Sequence, residues 1–170
     1  MKNILIICFT VLSITAFAQH ENHAASSDSK VASQGAVTFK DFNLGAAYSQ
    51  YILLKDALVA SNADEAKKTV TDLVKALATV KDADGALKAA AKLAGASSIS
   101  EQRLNFSMLS DEMTKLVKGG KLSSGSLYLE YCPMANDNTG AFWLSNEKEI
   151  KNPYFGSMML MCGSVKETIQ

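Results

Sequence analysis

The chain has 170 residues, 17 basic and 17 acidic side chains and two histidines, so its net charge is zero, and 48% of its residues are hydrophobic. That balance excludes a basic nucleic-acid stripe and an acidic store for hard divalent cations. The length suits one domain with a tail, large enough to bury a core.

Residues 1–18 read as a signal peptide. Lys2 is followed by an apolar stretch from Ile4 to Phe17, too short for a comfortable span, and then by Ala16-Phe17-Ala18, which predicts cleavage before Gln19. Cys8 lies in that stretch and is lost with it. Export places the protein in the periplasm, an oxidising compartment where free thiols tend to pair. No later segment is long and apolar enough to cross a bilayer. Residues 19–36 are small and polar and predict a flexible leader. Its His20 and His23 are candidates for weak Cu(II) or zinc capture.

The folded domain is expected over 37–170. Leu44, Tyr48, Tyr51, Leu54 (or Lys55) and Leu58 recur at helical spacing from Asp41 onward. Asn62 and Glu65 form a capping box that opens a second helix with Ala66, Val70, Leu73, Leu77 and Val80 inward. Asp84-Gly85 interrupts the pattern. An alanine-rich helix follows, with Leu87, Ala90, Leu93 and Ala94 inward and Gly95 as its stop. Ser98 and Glu101 open a fourth helix, which buries Phe106, Leu109, Met113 and Leu116 and ends at Gly119-Gly120. Met108 and Met113 read as core filler.

Short links between these helices favour antiparallel neighbours. The expected fold is therefore mainly α: an up-down four-helix bundle, with a small β-hairpin and an irregular C-terminal segment. The hairpin pairs Ser126–Tyr131 with Ala141–Leu144 across the turn residues Asn136-Asp137-Asn138-Thr139-Gly140. Asn152-Pro153 marks another turn, and Ser157–Cys162 predicts one or two helical turns.

Sulfur concentrates at this end. Cys132-Pro133-Met134 and Met158-Met159-Leu160-Met161-Cys162 hold both remaining cysteines and four methionines. Thiolate and thioether are soft donors that select Cu(I), with Ag(I) similar and zinc less suited. On an extended segment Cys132 and Met134 share a side. On a helical turn Met159 and Cys162 share a face, with Met158 or Met161 as substitutes. Cys132, Met134, Met159 and Cys162 are thus the candidate metal ligands. The competing reading is a Cys132–Cys162 disulfide, which would close a loop of about thirty residues and contribute roughly 3–4 kcal/mol.

No catalytic set is present, because both histidines lie in the leader and no phosphate loop or dinucleotide fingerprint occurs. The expectation is a protein that is not an enzyme. Glu130, Glu147 and Glu149 read as solvated.

Tyr131-Cys132-Pro133-Met134-Ala135-Asn136, Gly140-Ala141-Phe142-Trp143-Leu144-Ser145, Glu149-Ile150-Lys151-Asn152-Pro153-Tyr154-Phe155-Gly156, Met159-Leu160 and Cys162-Gly163 carry a resemblance. The chain resembles, over Val37 to Ile169, the uncharacterised exported domain found alone or appended to periplasmic adaptor subunits of Cus-type copper/silver efflux pumps. Its Tyr-Cys-Pro-Met element is also similar to one in small heavy-metal-binding domains, where a histidine commonly follows the methionine; here Ala135 does. The resemblance implies copper and an efflux adaptor as partner. Two functions follow: a protein that buffers Cu(I) or passes it to an efflux system, or a disulfide-stapled module that contacts an efflux or envelope partner through its aromatic Asn-Pro-Tyr-Phe-Gly region without metal.

Overall fold

A computed structural model describes residues 37–170. The expected signal peptide, cleavage site and histidine-bearing leader lie outside the described residues. No helix among the described residues is long and apolar enough to cross a membrane.

The fold is mainly helical. Four long helices, α1 (Phe42–Val59), α2 (Ala63–Leu77), α3 (Asp84–Ala94) and α4 (Ile99–Gly119), follow one another through short links. Each packs on the next, and α4 returns to α1. Three of the four start at side chains that satisfy free backbone N–H groups, and α3 starts without one. Asp41 accepts from Asn43 N and Leu44 N, Asn62 from Glu65 N, and Ser98 from Glu101 N. The Glu101 carboxylate accepts from Ser97 N and Ser97 Oγ, one residue before the cap. Asp84 is the first residue of α3, so the interruption read there is a helix start.

The core follows the periodic positions. Tyr48, Tyr51, Leu54, Leu58, Val70, Leu73, Leu77, Leu93, Phe106, Leu109 and Met113 are all buried. Met108 is exposed, unlike Met113, and only the latter fills the core. On α3 the alanines Ala86, Ala89 and Ala90 take the inner face with Leu93. Such small side chains let helix backbones approach closely.

Two small sheets complete the fold. β1 (Thr38–Phe39) pairs antiparallel with β2 (Leu122–Ser124), a pairing that two and three residues are too short to announce by alternation. The larger sheet has the order β4-β3-β5, with β3 (Leu127–Cys132) antiparallel to both β4 (Ala141–Ser145) and β5 (Ser164–Ile169). β3 and β4 form the expected hairpin. β5 was not foreseen: its side chains are nearly all exposed, so it lacks the apolar alternation of a half-buried strand.

The bundle and sheet are joined by polar contacts inside the core. The Tyr51 hydroxyl lies 2.8 Å from Ser110 Oγ on α4 and accepts from Leu144 N on β4 at 3.0 Å. Rings stack outward from it: Tyr51 on Phe106 at 5.3 Å, Phe106 against Tyr154 at 5.8 Å, and Tyr154 edge-on to Trp143 at 5.9 Å.

Glu130 corrects the solvated reading. It is fully buried in central strand β3, opposite Trp143, and neither carboxyl oxygen has a hydrogen-bond partner. Burial pushes its carboxyl up to about 7, against smaller opposing pulls from the Lys55 charge and from the facing Trp143 N–H, which lies outside hydrogen-bond geometry. The folded chain therefore keeps a proton that the unfolded chain releases near 4.5. This favours the folded state below pH 4.5 and is lost as pH rises through 4.5 to about 7. Denaturant unfolding at pH 4.5 and pH 8 should show wild type losing stability relative to Glu130→Gln, by on the order of 1–3 kcal/mol. A difference that does not change with pH would exclude a titrating Glu130.

Candidate functional site

The site is built by the chain between β4 and β5, residues 146–163. Asn152 organises it. Asn152 Oδ1 accepts from Tyr154 N at 2.8 Å and Phe155 N at 3.3 Å, an Asx turn that closes around Pro153. Its Nδ2 reaches across the loop and donates to the Cys162 carbonyl at 2.7 Å. Its own N–H donates to Leu160 O, and its carbonyl accepts from Gly156 N. One fully buried side chain thus ties both ends of the loop together.

Other side chains dock this loop on the bundle. Arg103 on α4 donates from Nε to Pro153 O at 2.9 Å and from Nη2 to Leu58 O and Ser61 Oγ at the end of α1. Tyr154 donates its hydroxyl to Phe142 O on β4 at 2.6 Å. Gly156 has φ +59, and a β-carbon there would lie 2.7 Å from Arg103 Nη2 and Ser61 Oγ. The tight seat accounts for that glycine. A 3-10 turn, Gly156–Met158, leads on, and Cys162 N donates to Met159 O at 3.1 Å.

The result brings two distant sulfurs together. Cys132, at the end of β3, is fully buried; Cys162 is partly exposed; and their Sγ atoms are 2.7 Å apart. That is closer than non-bonded sulfurs normally sit and longer than a disulfide bond of about 2.05 Å. Both cysteines are free thiols here. The Cys132 contact, then burial, pushes the Cys162 thiol up to about 11. In the closed, reduced pair Cys162 therefore holds little thiolate near neutral pH.

The methionines are placed differently. Pro133 and Met134 turn away from β3 into Ala135–Asn138, where Asn136, Asp137 and Asn138 all have left-handed backbone. The extended path that would put Met134 beside Cys132 ends at Cys132. Met134 is 45% exposed and lines an open groove of about 760 Å³ with Met158, Met159, Leu104, Arg103 and Phe155. Met158 and Met161 are 73% and 72% exposed. The structure thus joins Cys132 to Cys162 and places Met134 and Met159 on a common groove. Neither cysteine is among the described residues lining it.

The expectation of Cu(I), or of Ag(I) or zinc, is overturned. Among the described residues no group of three or more His, Cys, Asp and Glu side chains is placed to hold a metal ion. The sulfur spacing agrees. Two metal–sulfur bonds of about 2.3 Å would hold the sulfurs roughly 3.8–4.6 Å apart, so a direct contact at 2.7 Å leaves no place for an ion between them. The donors present do not fit the ion.

Sequence reasoning located both cysteines but missed Asn152 and Arg103. The Asn-Pro pair signalled a turn without revealing that its side chain would bridge to residue 162. Arg103 lay on a helix as an ordinary polar residue, and nothing in the spacing marked its three acceptors.

Fold and site together define a helical bundle that carries a three-stranded sheet and a loop fastened next to a buried cysteine. A DUF3347 domain, from the family described as protein of unknown function, is present at residues 47–125. That match spans just under half of the chain, from α1 through β2, and ends before the cysteine-bearing segments. No curated protein and no solved structure matches the chain.

Asn152→Ala leaves two amide N–H groups and one carbonyl without their partner. It should destabilise the fold by about 2–4 kcal/mol in urea unfolding. A change under about 0.5 kcal/mol would show that the loop holds without this side chain.

Proposed function

We propose that this chain is a non-enzymatic interaction module, closed by a Cys132–Cys162 disulfide, that contacts an efflux adaptor or another envelope protein. The approach of the two sulfurs to 2.7 Å is the observation that carries this reading. Closing the bond needs a small inward movement of the sulfurs and a two-electron oxidant, such as a disulfide, that takes up the two electrons and two protons. The bond would join central strand β3 to a loop that has no ladder partner of its own, and so fix the loop's outer surface. An exported chain would meet the oxidising conditions the bond needs.

The contact surface is the methionine face. In the Asn-Pro-Tyr-Phe-Gly segment, Asn152, Pro153, Tyr154 and Gly156 are buried and Phe155 is half-buried, so this segment serves the fold. Leu104 of α4 and Met134, Met158, Leu160 and Met161 of the sulfur-bearing segments are exposed apolar side chains. Methionine is flexible and polarisable and adapts to apolar partner surfaces. The resemblance to exported domains of copper/silver efflux adaptors supplies the class of partner.

Intact mass of the exported protein purified without reductant should be two hydrogens below the thiol value, and reductant should lower its stability by about 3–4 kcal/mol. A full thiol mass would end the disulfide reading. Binding of the oxidised protein to the soluble region of a periplasmic efflux adaptor should weaken about tenfold or more when Met134 and Met158 are both changed to glutamate. Unchanged affinity would remove this face from the contact.

A further inference from the structure

The two sulfurs of the proposed staple are not equivalent. Cys132 is in the middle strand of the sheet, opposite Ala141 of β4, while its neighbour Tyr131 is opposite Ser164 of β5. It is fully buried. Its backbone is fixed in the strand ladder with β4. Cys162 is partly exposed and follows Met161, which is 72% exposed. Its backbone is held by Met159 O and by the Asn152 side chain, outside any strand ladder. Residues 157–162 run between two glycines with unusual backbone, Gly156 at φ +59 and Gly163 at φ +144. Local opening of this short segment moves Cys162 and leaves Cys132 in place, because openings of lowest free energy break the fewest buried contacts.

We propose that Cys162 is the thiol that reacts with an incoming disulfide and Cys132 is the thiol that then completes the staple. This rests on the disulfide reading above. The substrate class is a disulfide donor, either a low-molecular-weight disulfide or the disulfide of a thiol oxidase. Cys162 releases its proton to solvent, and its thiolate attacks one donor sulfur. A Cys162–donor S–S bond forms, the donor's own S–S bond breaks, and the first donor thiolate leaves and takes up a proton. Cys132 then loses its proton and attacks Cys162 Sγ. The Cys132–Cys162 bond forms, the mixed disulfide breaks, and the second donor thiol leaves. The two protein thiols give up two electrons and two protons, and the donor is reduced to two thiols. The second step is favoured by proximity, since the attacking sulfur already lies against its target.

The same contact governs the first step. In the closed loop Cys132 and burial hold the Cys162 proton in place. Opening separates the sulfurs, restores the ordinary acidity of Cys162 and exposes it to the donor together. The donor is therefore met by the open loop, and reclosure delivers the mixed disulfide to Cys132.

Oxidised glutathione serves as the probe, with the reduced protein quenched in acid at successive times and the adducts mapped by peptide mass. Cys132→Ala should accumulate one glutathione on Cys162. Cys162→Ala should acquire glutathione on Cys132 roughly tenfold more slowly or not at all, as expected for a buried thiol that stays fixed in its strand when the loop opens. Wild type, which needs no substitution in the core, should show any transient adduct on Cys162 before the two-hydrogen loss. Adducts on Cys132 at an equal or greater rate would overturn the assignment while leaving the staple intact. A wild-type protein that never loses two hydrogens would defeat the disulfide reading itself.

Discussion

The sulfur contact depends on one side chain whose own chemistry is neither redox-active nor titratable. Asn152 can accept at Oδ1 and donate at Nδ2 at once, and it uses both ends: the oxygen shapes the turn through Tyr154 N and Phe155 N, and the nitrogen holds the Cys162 carbonyl. An aspartate could form the turn and could not hold that carbonyl. A leucine would fill the space and leave three backbone groups without a partner. Because Asn152 is fully buried, water does not compete for these bonds. The position of Cys162 is therefore a property of the fold, set ten residues upstream in sequence, before any sulfur chemistry takes place.

Asn152 can do this only because the loop is docked on a rigid support. Arg103 binds Pro153 O with one part of its guanidinium and the end of α1 with another, so a single planar group aligns α1, α4 and the loop. Tyr154 continues the seat through its hydroxyl on Phe142 O and its ring against Phe106 and Trp143. Tyr51 closes the circuit from inside, with its hydroxyl shared between Ser110 of α4 and Leu144 N of β4. The helices thus act on the site through hydroxyl, guanidinium and ring contacts that cross between elements of very different sequence position.

That division explains what was legible in the sequence. The helices were readable because burial of one face repeats every three or four residues, and because Asp41, Asn62 and Ser98 announce their starts locally. The hairpin was readable for the same reason, with turn residues between two apolar runs. β5 was not, since Ser164–Ile169 is held to β3 by backbone bonds that do not depend on side-chain type. Glu130 misled because alternation assumes one wet face, whereas β3 is buried on both. Met134 misled because the extended path stops at Cys132. The candidate site was half visible: the cysteine pair is a matter of residue type, while Asn152 and Arg103 act through long-range geometry.

The density of methionine around the cysteines pointed toward soft-metal chemistry, and its placement argues for another role. A thioether that serves as ligand must converge with the thiolates, and burial would protect the bond from water. Met158 and Met161 do the reverse, projecting from a loop whose other side is pinned into the core. Exposed apolar area carries a solvation penalty of roughly 25 cal/mol per Å², which covering by a partner would recover. A loop that presents such side chains must be kept from collapsing onto its own protein, and a bond at Cys162, next to Met161, would limit that freedom. Sulfur would then act in two ways along one segment, as a covalent tether beneath it and as adaptable apolar surface above.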